Sequence, residues 1–275
     1  MLLGEIGVWR VASALSPELA ATLERLGYSA IWIGGSPDGS LRVVEELLEA
    51  TDSMVIGTGI VNIWRDEQAV VAASYHRIDR RFGDRFLLGI GVGHPEHTAS
   101  YRKPYEALVH YLDELDRAEV PVTRRLLAAL GPRVLQLAAD RAAGAHPYLT
   151  TPEHTGRARA ILGPDELLVP EQKVVLAADP VAAREIGRPP VATPYLGLSN
   201  YLANLRSLGF TEEDLAGEGS DRLIDALVVH GDADTVAAGV RRHLTAGANQ
   251  VAVQLLTRPG EDPVPGYTEL ARALF

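Results

Sequence analysis

The residues best suited to chemistry follow a glycine-rich stretch in the first half of the chain. Residues 86–91 form a short apolar run, typical of a strand buried on both faces. Gly89, Gly91 and Gly93 alternate along its end, so one side of that end lacks Cβ atoms. Such a bare strand end is expected where a flat ligand or another backbone comes close. The next residues, 94–97, read His-Pro-Glu-His and add two imidazoles.

These two histidines could transfer protons, contact a cofactor or hold a metal ion. Because histidine titrates near neutrality, His94 or His97 can exchange a proton or bind a polar group of a cofactor. A metal site is the weaker interpretation, since both lie on a proline-containing loop and no third ligand is marked. We expect no metal. Loop histidines in solvent are the remaining alternative.

Composition restricts the class of protein. The chain has 275 residues, 47% hydrophobic and 23% charged, which is enough for one domain covering residues 1–275. The absence of cysteine excludes disulfides, thiolate metal sites and thiol nucleophiles. A net charge of −10 argues against nucleic acid as a partner. Without a signal peptide or a long apolar span, we expect a cytoplasmic protein that does not associate with membranes.

Short apolar strands alternate with helices along the chain. Ser16, Pro17 and Gly27 predict the cap, first residue and stop of the first helix. Three helices, and no strand, are predicted between residues 200 and 246. The predicted strands lie at residues 1–9, 30–33, 54–61, 86–91, 125–130, 145–149, 173–178 and 249–256.

Eight strand–helix units over this length favour a (β/α)₈ TIM barrel over an open doubly wound sheet. The open sheet is disfavoured because no dinucleotide fingerprint follows the first strand, and no G-K-[ST] phosphate loop occurs anywhere. In a barrel, chemistry occurs at the carboxyl ends of the strands. The residues there are mostly glycines, aromatics and neutral polar groups, which suit a large, flat, partly anionic ligand.

Two of these strand ends offer donors for a phosphate group. Gly131 begins a helix, where free N–H groups and the helix dipole favour an anion. Thr150 and Thr151 follow the sixth predicted strand, although a capped helix start explains them equally well. Trp64 stands in a loop and is the candidate for contact with a ring or substrate, whereas Trp32 is predicted to be core.

Several segments together resemble the bacterial luciferase-like superfamily, in particular its actinobacterial coenzyme F420-dependent oxidoreductases. They cover almost the whole chain in the order found in that family. The matching segments are residues 26–28 with Trp32, 56–60, 79–93, 138–152, 230–232 and 246–248.

The resemblance implies a barrel that holds an isoalloxazine-like ring across its mouth. It implies a non-proline cis peptide between Gly59 and Ile60, forming a bulge beneath the ring, and a basic phosphate contact at Arg258. Without the resemblance, these glycines would indicate tight strand packing, and Arg258 an exposed side chain. The cofactor-binding residues expected in all are Gly34, Gly59, Ile60, Gly91, Gly93, Ala129, Gly131, Thr150, Thr151 and Arg258.

The expected activity is hydride transfer between F420 and a small organic substrate, with His94, His97 and Trp64 as catalytic candidates. An FMN-dependent luciferase-like monooxygenase is the alternative, and a relative that has lost cofactor binding is a third possibility. A homodimer is expected.

If His94 transfers a proton during hydride transfer, His94→Ala should lower turnover by ~10²–10⁴-fold, the usual contribution of a positioned acid or base. Cofactor affinity should change much less, because the phosphate is expected to bind elsewhere. Single-turnover reduction of the bound cofactor measures the rate. A rate within about threefold of the parent would remove His94 from the mechanism and make His97 the next residue to test.

Overall fold

The computed structural model describes residues 3–93 and 103–275. In these residues the chain forms an α/β fold, with a curled parallel sheet and helices against its outer face. Every strand pair in the described residues is parallel. The strands are β1 (Ile6–Val11), β2 (Ala30–Gly34), β3 (Val55–Thr58), β4 (Val61–Asn62), β5 (Phe86–Gly91), β6 (Arg125–Leu127), β7 (Gly144–Ala145), β8 (Leu167–Leu168), β9 (Glu171–Leu176), β10 (Val228–Gly231) and β11 (Val251–Leu255).

Helices connect most consecutive strands, as the alternation in the sequence predicts. The helices are α1 (Pro17–Arg25), α2 (Arg42–Glu49), α3 (Gln68–Phe82), α4 (Pro104–Arg117), α5 (Pro132–Arg141), α6 (Pro152–Leu162), α7 (Pro180–Ala192), α8 (Ser199–Ser207), α9 (Glu212–Leu215), α10 (Asp221–Leu227), α11 (Ala233–Thr245) and α12 (Val264–Leu274).

Both faces of the sheet are buried. The strands run in the order β10-β9-β11-β1-β2-β3-β5-β6-β7-β8, with β4 beside β5. On β1, Val8 packs outward in the large cluster between sheet and helices, whereas Trp9 belongs to a smaller cluster on the concave face. Trp32 lies in the same inner cluster and is fully buried, as predicted, with its indole N–H donating to Gln250 Oε1 at 2.7 Å. Burial on both faces explains the nearly continuous apolar runs of the strands.

The predicted limits of the first helix are confirmed. Ser16 Oγ accepts a hydrogen bond from the backbone N–H of Leu19 at 3.2 Å, and Pro17 is the first helical residue. Gly27 follows the helix with a φ of +98°, a conformation that favours glycine. The sequence pattern and the capping chemistry therefore agree at this helix.

The three helices predicted between residues 200 and 246 are present as α8, α10 and α11, but the prediction that no strand lies between them is wrong. The predicted helix ends at Leu227, and Val228 begins β10, which pairs with Lys173 and its neighbours in β9. Val228 and Val229 are β-branched and suit a strand, but their partner strand is remote in sequence. The predicted third strand, 54–61, is also divided into β3 and β4. A helix that was not predicted, α7, occupies residues 180–192.

A buried histidine joins β9 to the helices outside it. The Gln172 amide donates to the carbonyl of Leu227 at 3.0 Å, so its Oε1 is left to accept from His243 Nε2 at 2.8 Å. Thr155 Oγ1 lies 2.7 Å from His243 Nδ1 and donates to it. These partners select the neutral Nε2–H tautomer. Burial lowers the pKa of His243 to about 4.

This pKa predicts a loss of stability in acid. Because the folded pKa is about 4 and the ordinary value is 6.5, the unfolded chain takes up the proton first as the pH falls. The free energy of unfolding should be intact above pH 6.5 and fall between pH 6.5 and 4, by up to about 3 kcal/mol from this group. Urea unfolding at several pH values measures it.

Two variants test the assignment to His243. His243→Gln should be less stable at pH 7.5, because the bonds to Thr155 and Gln172 change, but its stability should depend less on pH. The exposed His110 provides the control, and His110→Gln should retain the parent's pH slope. An unchanged slope in His243→Gln would contradict the assignment.

Candidate active site

A cavity of about 560 Å³ opens at the carboxyl ends of the strands, within the size range of small-molecule sites. Its walls come from β1 and β4, from residues that follow β2, β3, β5, β6 and β7, and from α4, α5 and the segment around α8. The lining residues are Trp9, Val11, Gly35, Ser36, Gly59, Ile60, Asn62, Val92, Gly93, Pro104, Tyr105, Leu108, Ala128, Ala129, Leu130, Gly131, Arg133, Val134, His146, Tyr148, Tyr195, Asn200 and Tyr201.

Gly59 and Ile60 lie in the cavity wall where the sheet is interrupted between β3 and β4. Their peptide bond is cis, as the family resemblance implied. Beside it, Thr58 Oγ1 donates to the carbonyl of Gly89 and accepts from its N–H, both at 2.8 Å. A Cβ on Gly89 would lie 1.9 Å from the carbonyl oxygen of Thr58, so only glycine fits. Residues 59–60 therefore do not pair with β5, whereas the Gly59 N–H still donates to the carbonyl of Ile33 in β2 at 2.8 Å.

His146 lies against this segment as a neutral hydrogen-bond acceptor. It is 2% exposed, its ring stacks on Trp32 at 4.6 Å, and its Nδ1–H donates to the carbonyl of Val169 at 2.7 Å. Burial lowers the pKa of His146 to about 4, so its Nε2 carries a lone pair at neutral pH.

Two buried polar atoms flank Gly59. A Cβ built on Gly59 would be 2.9 Å from His146 Nε2 and 3.0 Å from Trp9 Nε1. Neither nitrogen has a hydrogen-bond partner among the described residues. Buried polar groups are normally paired, so an unpaired acceptor and an unpaired donor at the cavity wall are consistent with a polar ligand there.

Four aromatic side chains form a continuous row in the cavity wall. Trp9 and Tyr148 have ring centroids 5.0 Å apart, Tyr148 and Tyr195 5.3 Å, and Tyr195 and Tyr201 4.8 Å. The rings are tilted, with interplanar angles of 46°, 42° and 71°. We call Trp9, Tyr148, Tyr195 and Tyr201 the aromatic row.

A buried ion pair supports the aromatic row from behind. Lys173 Nζ lies 3.2 Å from Glu171 Oε1 and 3.9 Å from the ring centroid of Tyr148. Glu171 Oε2 accepts from the N–H of Leu149 at 3.1 Å, and Leu149 has a left-handed φ of +54°. Burial raises the pKa of Glu171 and lowers that of Lys173, and each partner opposes the shift of the other. The pair fixes both the ring of Tyr148 and the turn that follows it.

A second part of the wall can hold an anion. Gly131 is the N-cap of α5 and carries no capping side chain. Arg133, in the first turn of α5, places its guanidinium 3.7 Å from the ring centroid of Tyr105. Both Gly131 and Arg133 line the cavity. A helix N-terminus with an arginine beside it is a favourable place for a phosphate group.

Half of the predicted cofactor residues meet at this cavity, and half do not line it. Those in the lining are Gly59, Ile60, Gly93, Ala129 and Gly131. Of the others, Gly34 packs on Trp9, since a Cβ there would lie 2.0 Å from the indole, and a Cβ on Gly91 would lie 2.9 Å from Ala128 and Ile60.

The predicted polar contacts also lie outside the lining. Thr151 Oγ1 accepts from the backbone N–H of His154 at 3.4 Å and caps α6, which is the structural alternative given for this residue. The Thr150 hydroxyl is buried without a partner among the described residues. Arg258 is exposed, and its backbone N–H donates to Glu261 Oε2 at 3.1 Å.

The three catalytic candidates, Trp64, His94 and His97, have different outcomes. Trp64 does not line the cavity; its indole N–H donates to the carbonyl of Val92 at 2.8 Å and so holds the residue after β5. His94 and His97 lie outside the described residues. Their assignments, like those of the predicted cofactor residues, stay predictions.

Several lining residues of the cavity were not predicted from the sequence. His146 and Tyr148 fall at the predicted sixth strand, so their place at a strand end was available as a signal. Arg133 directly follows the Gly131-Pro132 helix start that was identified. Trp9 was counted as part of the first strand, where the pattern does not distinguish the two faces.

Comparison with known proteins agrees with this geometry. Residues 14–119 match the family model described as luciferase-like monooxygenase. The resemblance to the luciferase-like superfamily is thereby confirmed. Over 83 residues the chain is 30% identical to 4-hydroxyprotoasukamycin monooxygenase of Streptomyces nodosus subsp. asukaensis. That match covers 28% of this chain and 22% of the relative, so the chain spans only about a fifth of that relative's length.

Solved structures with this fold include users of both cofactors. An F420-dependent secondary alcohol dehydrogenase, in complex with an F420-acetone adduct, has a TM-score of 0.74 at 14% identity, covering 100% of both chains. The coenzyme F420-dependent tetrahydromethanopterin reductase from Methanopyrus kandleri has 0.69 at 17%, covering 99% of both. The oxygenating constituent of 3,6-diketocamphane monooxygenase from Pseudomonas putida, with FMN, has 0.69 at 12%, covering 98% of this chain and 96% of that one. At these identities the likeness concerns the fold.

Two further properties concern residues 3–93 and 103–275. They contain no group of three His, Asp or Glu side chains arranged to hold a metal ion. None of the helices in this part of the chain has the length and apolar character needed to cross a membrane.

The ion pair behind the aromatic row predicts a non-additive effect on stability. Lys173→Met should lower the free energy of unfolding by about 3–5 kcal/mol, because the Glu171 carboxylate is left buried without its cation. Combining it with Glu171→Gln should restore most of the loss, since the amide can still accept from Leu149 N–H. Urea unfolding followed by circular dichroism measures each variant. Losses that add to within about 0.5 kcal/mol would contradict the coupling.

Proposed function

We propose that this protein is a luciferase-like oxidoreductase that transfers a hydride between coenzyme F420 and a small organic substrate. The observation that carries the proposal is the cavity itself. The Gly59–Ile60 bulge, the neutral acceptor of His146 and the anion-binding start of α5 meet around one space of about 560 Å³. The fold of the F420-dependent alcohol dehydrogenase, which aligns over the whole of both chains, supports it.

The curled sheet, in this proposal, closes as a (β/α)₈ barrel. The segment 167–176 supports this, because both of its edges are hydrogen-bonded. On one side Val169 N–H donates to Ala145 O, and on the other Ala252 N–H donates to Pro170 O, both at 2.9 Å. The start of the segment therefore pairs with β7 and its continuation with β11, and β10 is an additional strand.

The residues around the cavity fit a flavin-type group. Gly59 and Ile60 would contact its ring system, with the acceptor of His146 and the donor of Trp9 nearest to them. Gly131 and Arg133 would hold its phosphate. When bound, F420 supplies the hydride-carrying ring, so the redox chemistry belongs to the cofactor.

The protein's own contribution is to bind, orient and exchange protons. His146 acts as a hydrogen-bond acceptor, because a pKa of about 4 keeps it neutral. Proton exchange with the substrate is assigned to His94 or His97; Gly93, directly before His94 in sequence, lines the cavity. The homodimer and the cytoplasmic location expected from the sequence belong to the same proposal.

The second candidate is an FMN-dependent monooxygenase. One observation favours it: the 30% identical relative is a monooxygenase, although only 22% of its length is matched. Both candidates require a ring-binding cavity and a phosphate anchor, so they differ in the cofactor.

Titration with both cofactors decides between them. We expect F420 to bind at least about tenfold more tightly than FMN, a difference of about 1.4 kcal/mol. The fluorescence of each cofactor reports binding. Equal or tighter binding of FMN would favour the monooxygenase, and binding of neither would leave a relative without cofactor affinity.

The phosphate anchor is tested in the same titrations. Arg133→Ala should weaken binding of the preferred cofactor by about 1.5–3 kcal/mol, the usual loss of a charge-assisted bond. Arg258→Ala is the matched control, since this arginine is exposed and outside the cavity, and it should change affinity less than about twofold. The opposite pattern would move the phosphate to the end of β11.

A further inference from the structure

We infer that the aromatic row is the substrate-binding face, and that the substrate is a flat aromatic compound without a negative charge. In this inference the hydride is exchanged at an alcohol or carbonyl carbon next to the ring, where an alcohol would give its C–H hydride to the cofactor and its O–H proton to a base. The inference rests on the proposed function and adds the class of substrate. It is carried by the geometry of Trp9, Tyr148, Tyr195 and Tyr201.

The described part of the cavity wall disfavours an anion at the aromatic row. Among the described lining residues, the only side chain with a formal charge is Arg133, which lies at the start of α5. His146 is neutral, and its neighbours around Gly59 are uncharged. An anion against the aromatic row would face the negative faces of the rings and would lose hydration without gaining a partner. A substrate without a negative charge avoids that cost.

The arrangement of the rings favours a flat partner over a saturated one. Successive centroids lie 4.8–5.3 Å apart and successive planes are tilted, so the row offers both ring faces and ring edges. A planar aromatic compound can meet these with offset or edge-to-face contacts, which depend on its own quadrupole. A saturated ring of equal size gains only the burial of its surface.

A buried lysine lies on the side of the row away from the cavity. Lys173 Nζ is 3.9 Å from the centroid of Tyr148 and 5.7 Å from that of Tyr195, and the side chain is fully buried. It does not line the cavity, so it cannot bind the substrate directly. Together with Glu171 it holds the ring of Tyr148 in the orientation that the row presents.

A hydroxyl group on the substrate would have a partner. The phenol of Tyr148 is already engaged, donating to Gln254 Oε1 at 3.0 Å. Asn200, next to Tyr201, is exposed and lines the cavity. The amide of Asn200 can both donate to and accept from a hydroxyl group of the substrate.

Isothermal titration calorimetry of the full chain with 2-naphthol and with trans-2-decalol tests the inference. The two probes have the same carbon skeleton and one hydroxyl, but only the first is aromatic. We expect 2-naphthol to bind about tenfold more tightly, as the aromatic contacts predict. Equal affinity, or tighter binding of decalol, would overturn the inference.

Variants connect the preference to the aromatic row. Tyr195→Leu and Tyr201→Leu should each reduce the preference for naphthol to within about threefold. Tyr105→Leu is the matched control, a tyrosine in the same cavity but outside the row, and it should keep the full preference. The double variant Glu171→Gln/Lys173→Met should keep binding of decalol and lose part of the preference. A preference retained in both row variants would overturn the inference, provided that circular dichroism confirms their folding.

The result is independent of the cofactor titrations. If F420 or FMN binds but naphthol is not preferred, the substrate class is wrong and the proposed function stands. If neither cofactor binds and the naphthol preference follows the row, the proposed function fails and the row remains a site for aromatic ligands.

Discussion

One hydroxyl group allows the sheet to be interrupted at the cavity. β3 pairs with β5 through Ile56 and Gly57, and β4 resumes pairing with β5 at Val61. Between these points the N–H and C=O of Gly89 would be buried without partners, at a cost of about 1–3 kcal/mol each. Thr58 Oγ1 satisfies both, because a hydroxyl donates once and can also accept. The backbone at residues 59–60 can then leave the ladder with β5 and form the cavity wall, while Gly59 stays bonded to Ile33 of β2.

Glycines around this wall make room for neighbouring groups of the protein. The space a Cβ would need is occupied by the Trp9 indole at Gly34, by the Trp32 ring at Gly57 and by the Thr58 carbonyl at Gly89. Large rings from adjacent strands therefore interlock with residues that have no side chain. A bare strand end in the sequence has two explanations, and at Gly89 and Gly91 the close approach of other parts of the protein accounts for it.

Structural features with causes close by in the sequence were predictable, whereas features that depend on distant residues were not. The first helix was predictable from Ser16, Pro17 and Gly27, because capping acts within a few residues. The cis bond at Gly59 followed from a family pattern, and no local propensity indicates it. β10 was missed, since Val228 becomes a strand through a partner far away in the chain.

The site residues also divide into those with a local sequence signal and those without one. Gly131 was found as a helix start, because a Gly-Pro pair signals one directly. The aromatic row was not found, since Trp9, Tyr148, Tyr195 and Tyr201 come from distant parts of the chain and meet only in the curled sheet. Lys173 was predicted only as the start of a strand, and Glu171 was not singled out; their burial depends on strands on both sides and on a tyrosine that no spacing rule connects to them.

The alternation of side chains along β9 limits how this part of the sequence can vary. Glu171 and Lys173 face the tyrosines of the cavity, whereas Gln172 between them faces His243 on the helix side. Side chains alternate between the two faces of a strand, so inserting or deleting one residue before Glu171 would exchange the two faces. The carboxylate and ammonium would meet a neutral histidine, and an amide would stand behind the aromatic rings. Change in this strand is therefore restricted to substitution in place, because a shift in register would disrupt the cavity wall and the outer helix contact at once.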